Sequence, residues 1–146
     1  MRGVSPLISH TLDLAIIIAV FTLIIVHVSS IKSQTEEQFL NYQTFYIATK
    51  ITEEVSFLEN TYADSSYSPS STAVLASLDM PFSSKIPLRA ELLSGVVRVT
   101  GVTSSGKEIN NSRVLQTNFQ SSGAAKLPAK LVLEKLGNSY TVRVVE

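Results

Sequence analysis

The sequence predicts an α+β fold in which one long N-terminal transmembrane and stem α-helix packs on a small antiparallel β-sheet head. Three observations lead to this class: an unbroken apolar block near the N-terminus, an apolar stripe at helical spacing after it, and short β-branched segments separated by turn residues towards the C-terminus. We divide the chain into a hydrophobic helix (residues 4–31), its water-side continuation (32–62), a Ser-rich linker (63–84) and a β head (85–146).

Composition excludes several classes of protein. The 146 residues carry 12 basic and 12 acidic side chains and no basic stripe, so no nucleic-acid partner is expected. There is no cysteine, and the two histidines, His10 and His27, lie in or beside the apolar block. The part beyond the block therefore has neither a thiolate nor an imidazole, and we predict no catalytic residue, no cofactor and no metal site.

The apolar block is long enough to cross a membrane. Residues 12–28 read LDLAIIIAVFTLIIVHV, and neighbouring Leu7, Ile8 and Ile31 lengthen the apolar stretch. A bilayer core needs roughly 20 helical residues. A cleaved signal peptide is the alternative, but its apolar run is only about 7–15 residues long and a small-residue cleavage site follows it. We therefore expect the helix to be retained.

Charge predicts the orientation of this helix. Arg2 and the α-amino group precede the span, whereas Lys32 is followed closely by Glu36 and Glu37. Because positive charge favours the cytoplasmic side, we expect a cytoplasmic N-terminus and a single pass through the cell membrane, with the C-terminal part outside the cell.

The first residues, Arg2-Gly3-Val4-Ser5-Pro6-Leu7-Ile8, resemble the N-terminal motif of archaeal type IV pilins. The resemblance implies that residues 1–3 form a short leader and that a prepilin-type peptidase cuts between Gly3 and Val4. It implies further that the hydrophobic helix packs against other pilin or pseudopilin subunits in a filament, with Pro6, His10 and Asp13 at the helix contacts. The triplet Thr11-Leu12-Asp13 is closer to minor or accessory pilin-like subunits.

Asp13 has two interpretations. A carboxylate in an apolar helix is a functional-site hypothesis, here pairing with a neighbouring subunit. Alternatively, Asp13 reaches interfacial water near the end of the span. His10 lies three residues earlier, on the same helical face, and is a possible partner for Asp13.

After the span, one apolar stripe continues the helix towards residue 60. Ile47, Ile51, Val55, Leu58 and Tyr62 recur at helical spacing, beginning near Phe39 and Leu40. Phe45, Tyr46 and Phe57 lie on other faces. We expect these aromatic residues to pack against the domain behind the helix; the alternative is lateral contact with another subunit.

The C-terminal half predicts four or five strands. Residues 88–93 and 96–102 flank a turn at Ser94-Gly95, residues 113–119 form a weak strand, and residues 131–136 and 140–145 flank a hairpin turn at residues 137–139. The Ser-rich residues 63–71 end the helix, and they are alternatively a site of O-glycosylation.

Asn110-Asn111-Ser112 is a sequon for N-glycosylation at Asn110, in a predicted surface loop. Our leading hypothesis is a pilin-like structural subunit, a minor pilin or pseudopilin, of an archaeal type IV pilus-type filament or its assembly system. The alternative is a single-pass membrane-anchored accessory protein, associated with the archaellum or the cell envelope, with an extracellular β-domain. A tethered enzyme is a third class, for which the sequence offers no set of catalytic residues.

Overall fold

The computed structural model describes residues 4–63, 73–78, 86–136 and 139–145. One helix is followed by seven strands: α1 (Val4–Ala63), β1 (Ala73–Leu78), β2 (Leu88–Leu93), β3 (Val96–Val102), β4 (Glu108–Val114), β5 (Gln120–Lys126), β6 (Ala129–Leu136) and β7 (Ser139–Val145). The predicted α+β class is confirmed. The chain divides into two compact units, Met1–Glu36 and Glu37–Glu146.

Helix α1 is unbroken over 60 residues. Its one proline, Pro6, falls in the first turn, where a backbone N–H has no helical acceptor to lose. Several Ser and Thr hydroxyls within the helix donate to the carbonyl oxygen four residues earlier, as from Thr44 to Leu40 at 2.9 Å and from Thr52 to Ala48 at 2.8 Å. The buried Thr49 hydroxyl, by contrast, has no hydrogen-bond partner among the described residues.

The seven strands form one sheet in the order β1-β6-β7-β5-β2-β3-β4. All neighbours are antiparallel except β5 and β7, which pair in parallel over residues 120–122 and 141–143. The expectation of a purely antiparallel sheet is thus corrected to a mixed one. The parallel pair arises because β7 lies between β5 and β6 and is antiparallel to β6.

Strands β2 and β3 form the first predicted hairpin with the predicted bounds. Leu93 pairs with Val96, so the loop has two residues, Ser94 and Gly95, with φ of 44° and 83°. Positive φ at both loop positions is the geometry that suits the twist of a two-residue hairpin. The second predicted hairpin, β6–β7, is also present; residues 137 and 138 lie outside the described part of the chain.

Three sequence expectations need correction. Strand β1 lies inside the segment predicted as linker, because its residues AVLASL pair with β6; the Ser-rich residues 64–72 and residues 79–85 lie outside the described part. The weak strand predicted at 113–119 is wrong: β4 ends at Val114 and β5 begins at Gln120. The sheet has seven strands where four or five were expected.

The core of the second unit lies between α1 and one face of the sheet. The predicted helical stripe is buried from Leu40 to Leu58, with Ile47, Ile51 and Val55 at most 2% exposed. Phe39, expected at its start, is exposed, and the side chain of Tyr62 lies outside the described part. These side chains join one cluster with the inward residues of the strands, among them Leu88, Leu92, Val97, Val99, Leu131 and Val142. Gly101 permits this close approach, since a Cβ there would lie 2.6 Å from side-chain atoms of both Leu40 and Leu88.

Candidate membrane-spanning and assembly surfaces

The first unit presents an apolar surface on every side of α1. All residues from 8 to 32 are exposed. The exposed large hydrophobic residues in this part are Ile8, Leu12, Leu14, Ile16, Ile17, Ile18, Val20, Phe21, Leu23, Ile24, Ile25, Val26, Val28 and Ile31. A helix that is hydrophobic all round is normally buried in a core or in a membrane. This helix is long and apolar enough to span a membrane.

A polar side chain in the middle of the span has its hydrogen bond within the helix. The Thr22 hydroxyl donates to the carbonyl oxygen of Ile18 at 2.8 Å. In hydrocarbon each unsatisfied polar group costs several kcal/mol, so this local bond makes Thr22 compatible with a bilayer.

Of the residues at the predicted processing and pairing sites, His10 and Asp13 have side chains that the structure describes. Helix α1 begins at Val4, whereas Gly3 and the rest of the predicted leader lie outside the described residues, as do the side chains of Val4 and Pro6. His10 and Asp13 are both exposed. No hydrogen bond or ion pair joins their side chains in the described part of the structure, so both are open to an intermolecular contact.

The aromatic residues of the second half of α1 are on the surface. Phe57 is 65% exposed, and Tyr42 and Tyr46 stack on each other with ring centroids 6.4 Å apart in an exposed position. The expectation that Tyr46 and Phe57 pack against the domain is wrong, because the sheet covers only the face that carries Ile47, Ile51 and Val55. Phe45 is also exposed, but the Arg113 guanidinium lies 4.5 Å from its ring centroid.

Polar contacts that the sequence analysis missed hold α1 along the β4 edge of the sheet. Lys107 pairs with Glu37, and the Asn111 amide donates to Asn41 Oδ1 at 2.9 Å and to Thr44 Oγ1 at 2.8 Å. Further along the helix, Glu59 Oε1 accepts from the backbone N–H of Asn118 at 3.0 Å and from its side-chain amide at 2.9 Å. The partners are 59 to 70 residues apart in sequence, so no local pattern could reveal them.

Asn110, the predicted N-glycosylation site, is exposed but not in a loop. Asn110 lies in β4, opposite Thr100 of β3. The predicted loop is wrong because β4 pairs with β3 through the whole sequon. Asn111 holds the helix whereas Asn110 faces solvent, and this separates the structural amide from the one available for modification.

Two further features concern possible ligands. Among the described residues, no group of three His, Asp or Glu side chains is placed to hold a metal ion. Gln43 is fully buried in α1, and neither Oε1 nor Nε2 has a hydrogen-bond partner among the described residues. Sequence reasoning missed Gln43 because a glutamine beside an apolar stripe ordinarily reaches water.

Comparison with protein-family models, with curated proteins and with solved structures finds no match to this chain. The two kinds of surface on α1 and the N-terminal motif are therefore the features that bear on its function.

Proposed function

We propose that this protein is a pilin-like structural subunit, a minor pilin or pseudopilin, of an archaeal type IV pilus-type filament or its assembly system. The observation that supports this most strongly is the division of one helix into two parts. The first part is apolar and exposed on all sides, and the second buries one stripe against a β-sheet. A filament subunit needs the first part for contact with lipid or with like helices, and the second to carry a folded head.

The N-terminal motif adds processing to this proposal. A prepilin-type peptidase cuts between Gly3 and Val4 on the cytoplasmic face, and the helix that begins at Val4 is retained. Before assembly, the mature subunit remains in the cell membrane with its head outside the cell. Removal of residues 1–3 also frees a new α-amino group at the start of the helix.

Subunits associate through the apolar part of α1. Its exposed residues gain no cover within the described part of the chain, so either lipid or neighbouring helices must provide it. Transmembrane helices associate by close packing and by hydrogen bonds between polar side chains. Asp13 and His10, both exposed, are the polar groups that we assign to contacts between subunits.

The test is the N-terminus of the native protein, measured by mass spectrometry in isolated filaments and in membranes of the same cells. We expect chains that begin at Val4 in both fractions. The variant Gly3→Ile replaces the small residue at the cleavage point and should retain Met1, remain in the membrane and be missing from filaments. Ser9→Ala, beyond the motif, is the matched control and should be processed normally.

An intact Met1 in the native chain would contradict the proposal. Chains that begin at Val4 but occur only in membranes, in cells whose filaments assemble normally without them, would instead identify a tethered accessory protein. Topology is measured separately. Because the chain has no cysteine, Ser105→Cys should react with an impermeant maleimide on intact cells, and Ser5→Cys only after permeabilisation.

A further inference from the structure

The outer face of the sheet carries a group of basic side chains. Arg89 of β2 lies opposite Lys126 of β5, and Arg98 of β3 lies opposite Glu91 of β2. These residues point away from the core, since their strand neighbours Ala90, Val97, Val99 and Ala125 are buried. Together with Thr100 they line a hollow of ≈ 460 Å³. We call Arg89, Arg98 and Lys126 the cationic face.

Charge on this face is only partly balanced within the chain. Arg89 Nε lies 2.9 Å from Glu91 Oε1, whereas Arg98 and Lys126 form no ion pair in the described part of the chain. Two cations directly opposite each other, as Arg89 and Lys126 are, destabilise an antiparallel pair. The one further carboxylate at the hollow, Glu108, lies opposite Val102, at the end remote from Val96. The cationic face therefore attracts an external carboxylate.

Next to Arg98, the same face becomes apolar. Leu93, Val96 and Val114 lie side by side across β2, β3 and β4, two residues along the strands from Arg98. Leu93 is 56% and Val114 71% exposed. We call these three residues the apolar row. A partner for this surface thus needs carboxylates beside a large apolar side chain.

The exposed side of α1 provides that combination. A shallow hollow of ≈ 350 Å³ is lined by Glu53, Glu54 and Phe57. Phe57 is the most exposed of the aromatic side chains that the structure describes in the second half of α1. Neither glutamate forms an ion pair in the described structure. Lys50 lies one turn earlier. We call Glu53, Glu54 and Phe57 the acidic corner.

The distance between the charged and the apolar side chains is similar on the two surfaces. Glu53 and Phe57 are separated by about 6 Å along the helix axis, and Arg98 is about 6.7 Å from the apolar row along the strand. Phe57 can therefore cover Val96 and Val114 while a glutamate reaches Arg98.

We propose that the acidic corner of one copy of this chain docks on the cationic face and apolar row of the next copy. This inference rests on the proposed function and names a contact between heads of adjacent subunits. The two surfaces are different parts of one chain, so the contact is heterologous, and a docked pair of copies keeps one free surface of each kind. Such contacts build open arrays, as a filament requires, and not closed dimers.

Cysteine cross-linking tests this contact in the full-length chain, reconstituted in lipid bilayers and oxidised with copper phenanthroline. The native chain has no cysteine. A mixture of Phe57→Cys and Val114→Cys should yield dimers, each variant alone should yield almost none, and Phe57→Cys/Val114→Cys on one chain should yield a ladder of multimers. Dimers from either single variant alone would indicate a symmetric contact and overturn the proposal, as would a mixture without dimers.

Charge exchange tests the pairing. Glu53→Lys/Glu54→Lys on the Phe57→Cys chain should lower the dimer yield roughly tenfold, because like charges then meet at the contact. Arg98→Glu/Lys126→Glu on the Val114→Cys chain should do the same, and mixing the two altered chains should restore the yield. Lys130→Glu, at an exposed lysine of β6, is the control and should have no effect. A mixture that stays low would overturn the proposal.

The outcome is separable from that of the proposed function. Native chains that begin at Val4 and occur in filaments, but whose cysteine variants do not cross-link, would refute this head contact alone. If native chains retain Met1 while the cysteine variants still cross-link in bilayers, the pilin assignment is refuted and the contact stands.

Discussion

The two halves of helix α1 differ in whether the rest of the chain covers their apolar residues. Between residues 8 and 32 every side chain is exposed, whereas between residues 40 and 58 the apolar stripe is almost completely buried against the sheet. Both halves are regular α-helix. Secondary structure therefore does not distinguish them, and the difference lies in what covers the apolar surface.

The stability of the folded second unit therefore depends on the second half of α1 and not on the first. Leu40, Ile51 and Val55 are covered by strands of the same chain, so their contribution is to the stability of the second unit. Ile17, Ile24 and Val28 have no such cover among the described residues, so they do not add to the stability of that unit. Substitutions in the first half should therefore affect membrane retention, and substitutions in the second half should affect the free energy of unfolding.

The largest effect is expected in the buried stripe. Ile51→Ala removes a fully buried side chain from the centre of the core and should lower the free energy of unfolding of the second unit by about 2–5 kcal/mol. Denaturant unfolding of the full chain in detergent, followed by tyrosine fluorescence, measures this. Phe57→Ala, at an exposed site on the same helix, should change the value by less than about 0.5 kcal/mol. Equal losses would contradict the described packing.

A charge in the exposed half should act on membrane retention instead. Ile17→Arg places a guanidinium near the middle of the span, which costs about 3–4 kcal/mol relative to an apolar residue. We expect a large fall in the fraction that resists alkaline extraction from membranes. Gln34→Arg, beyond the span, should leave that fraction unchanged. Unaltered retention of Ile17→Arg would show that the first half does not cross the bilayer.

A smaller effect, of opposite sign, is expected at Gln43. Its buried amide has no hydrogen-bond partner in the part of the chain that the structure describes, and such a group costs about 1–3 kcal/mol. Gln43→Met keeps a similar shape without the polar atoms, so the second unit should become more stable by about 1–2 kcal/mol. The same unfolding measurement applies, with Gln38→Met at an exposed position as the control. A loss of stability would mean that the amide is satisfied.

The smallest effect is expected at the exposed ion pair between Lys107 and Glu37. Both side chains are partly in water, so Lys107→Ala should cost no more than about 1 kcal/mol. The cost should fall further at high salt, because exposed charges are screened. A salt-independent loss of several kcal/mol would indicate that this pair fixes the fold of the head.

The local sequence pattern was sufficient to predict the elements that depend on residues close together in sequence. The buried stripe of α1 and the β2–β3 hairpin with its turn at Ser94-Gly95 follow from spacing and turn chemistry. Strand β4 was displaced in the prediction because EINNSRV has low β-propensity, and the Asn111 contacts with α1 help to hold it.

Features that depend on contacts between residues far apart in sequence could not be predicted. Strand β1 is defined by its pairing with β6, and the parallel contact of β5 with β7 by sheet order. Sequence alone likewise did not reveal all of the surfaces that we propose for assembly. The apolar span is visible in the sequence, but the exposure of Phe57 and the alignment of Arg89 with Lys126 across two strands emerge only from the folded chain.

The most direct test of the division of α1 is a spin-label scan of single-cysteine variants, reconstituted in excess lipid, with lipid-soluble oxygen and a water-soluble nickel chelate as relaxing agents. Labels at positions 12, 16, 20 and 24 should be accessible to oxygen and shielded from nickel. Labels at 40, 47, 51 and 55 should be shielded from both. Access of nickel to the first set, or equal shielding of the two sets, would contradict this account.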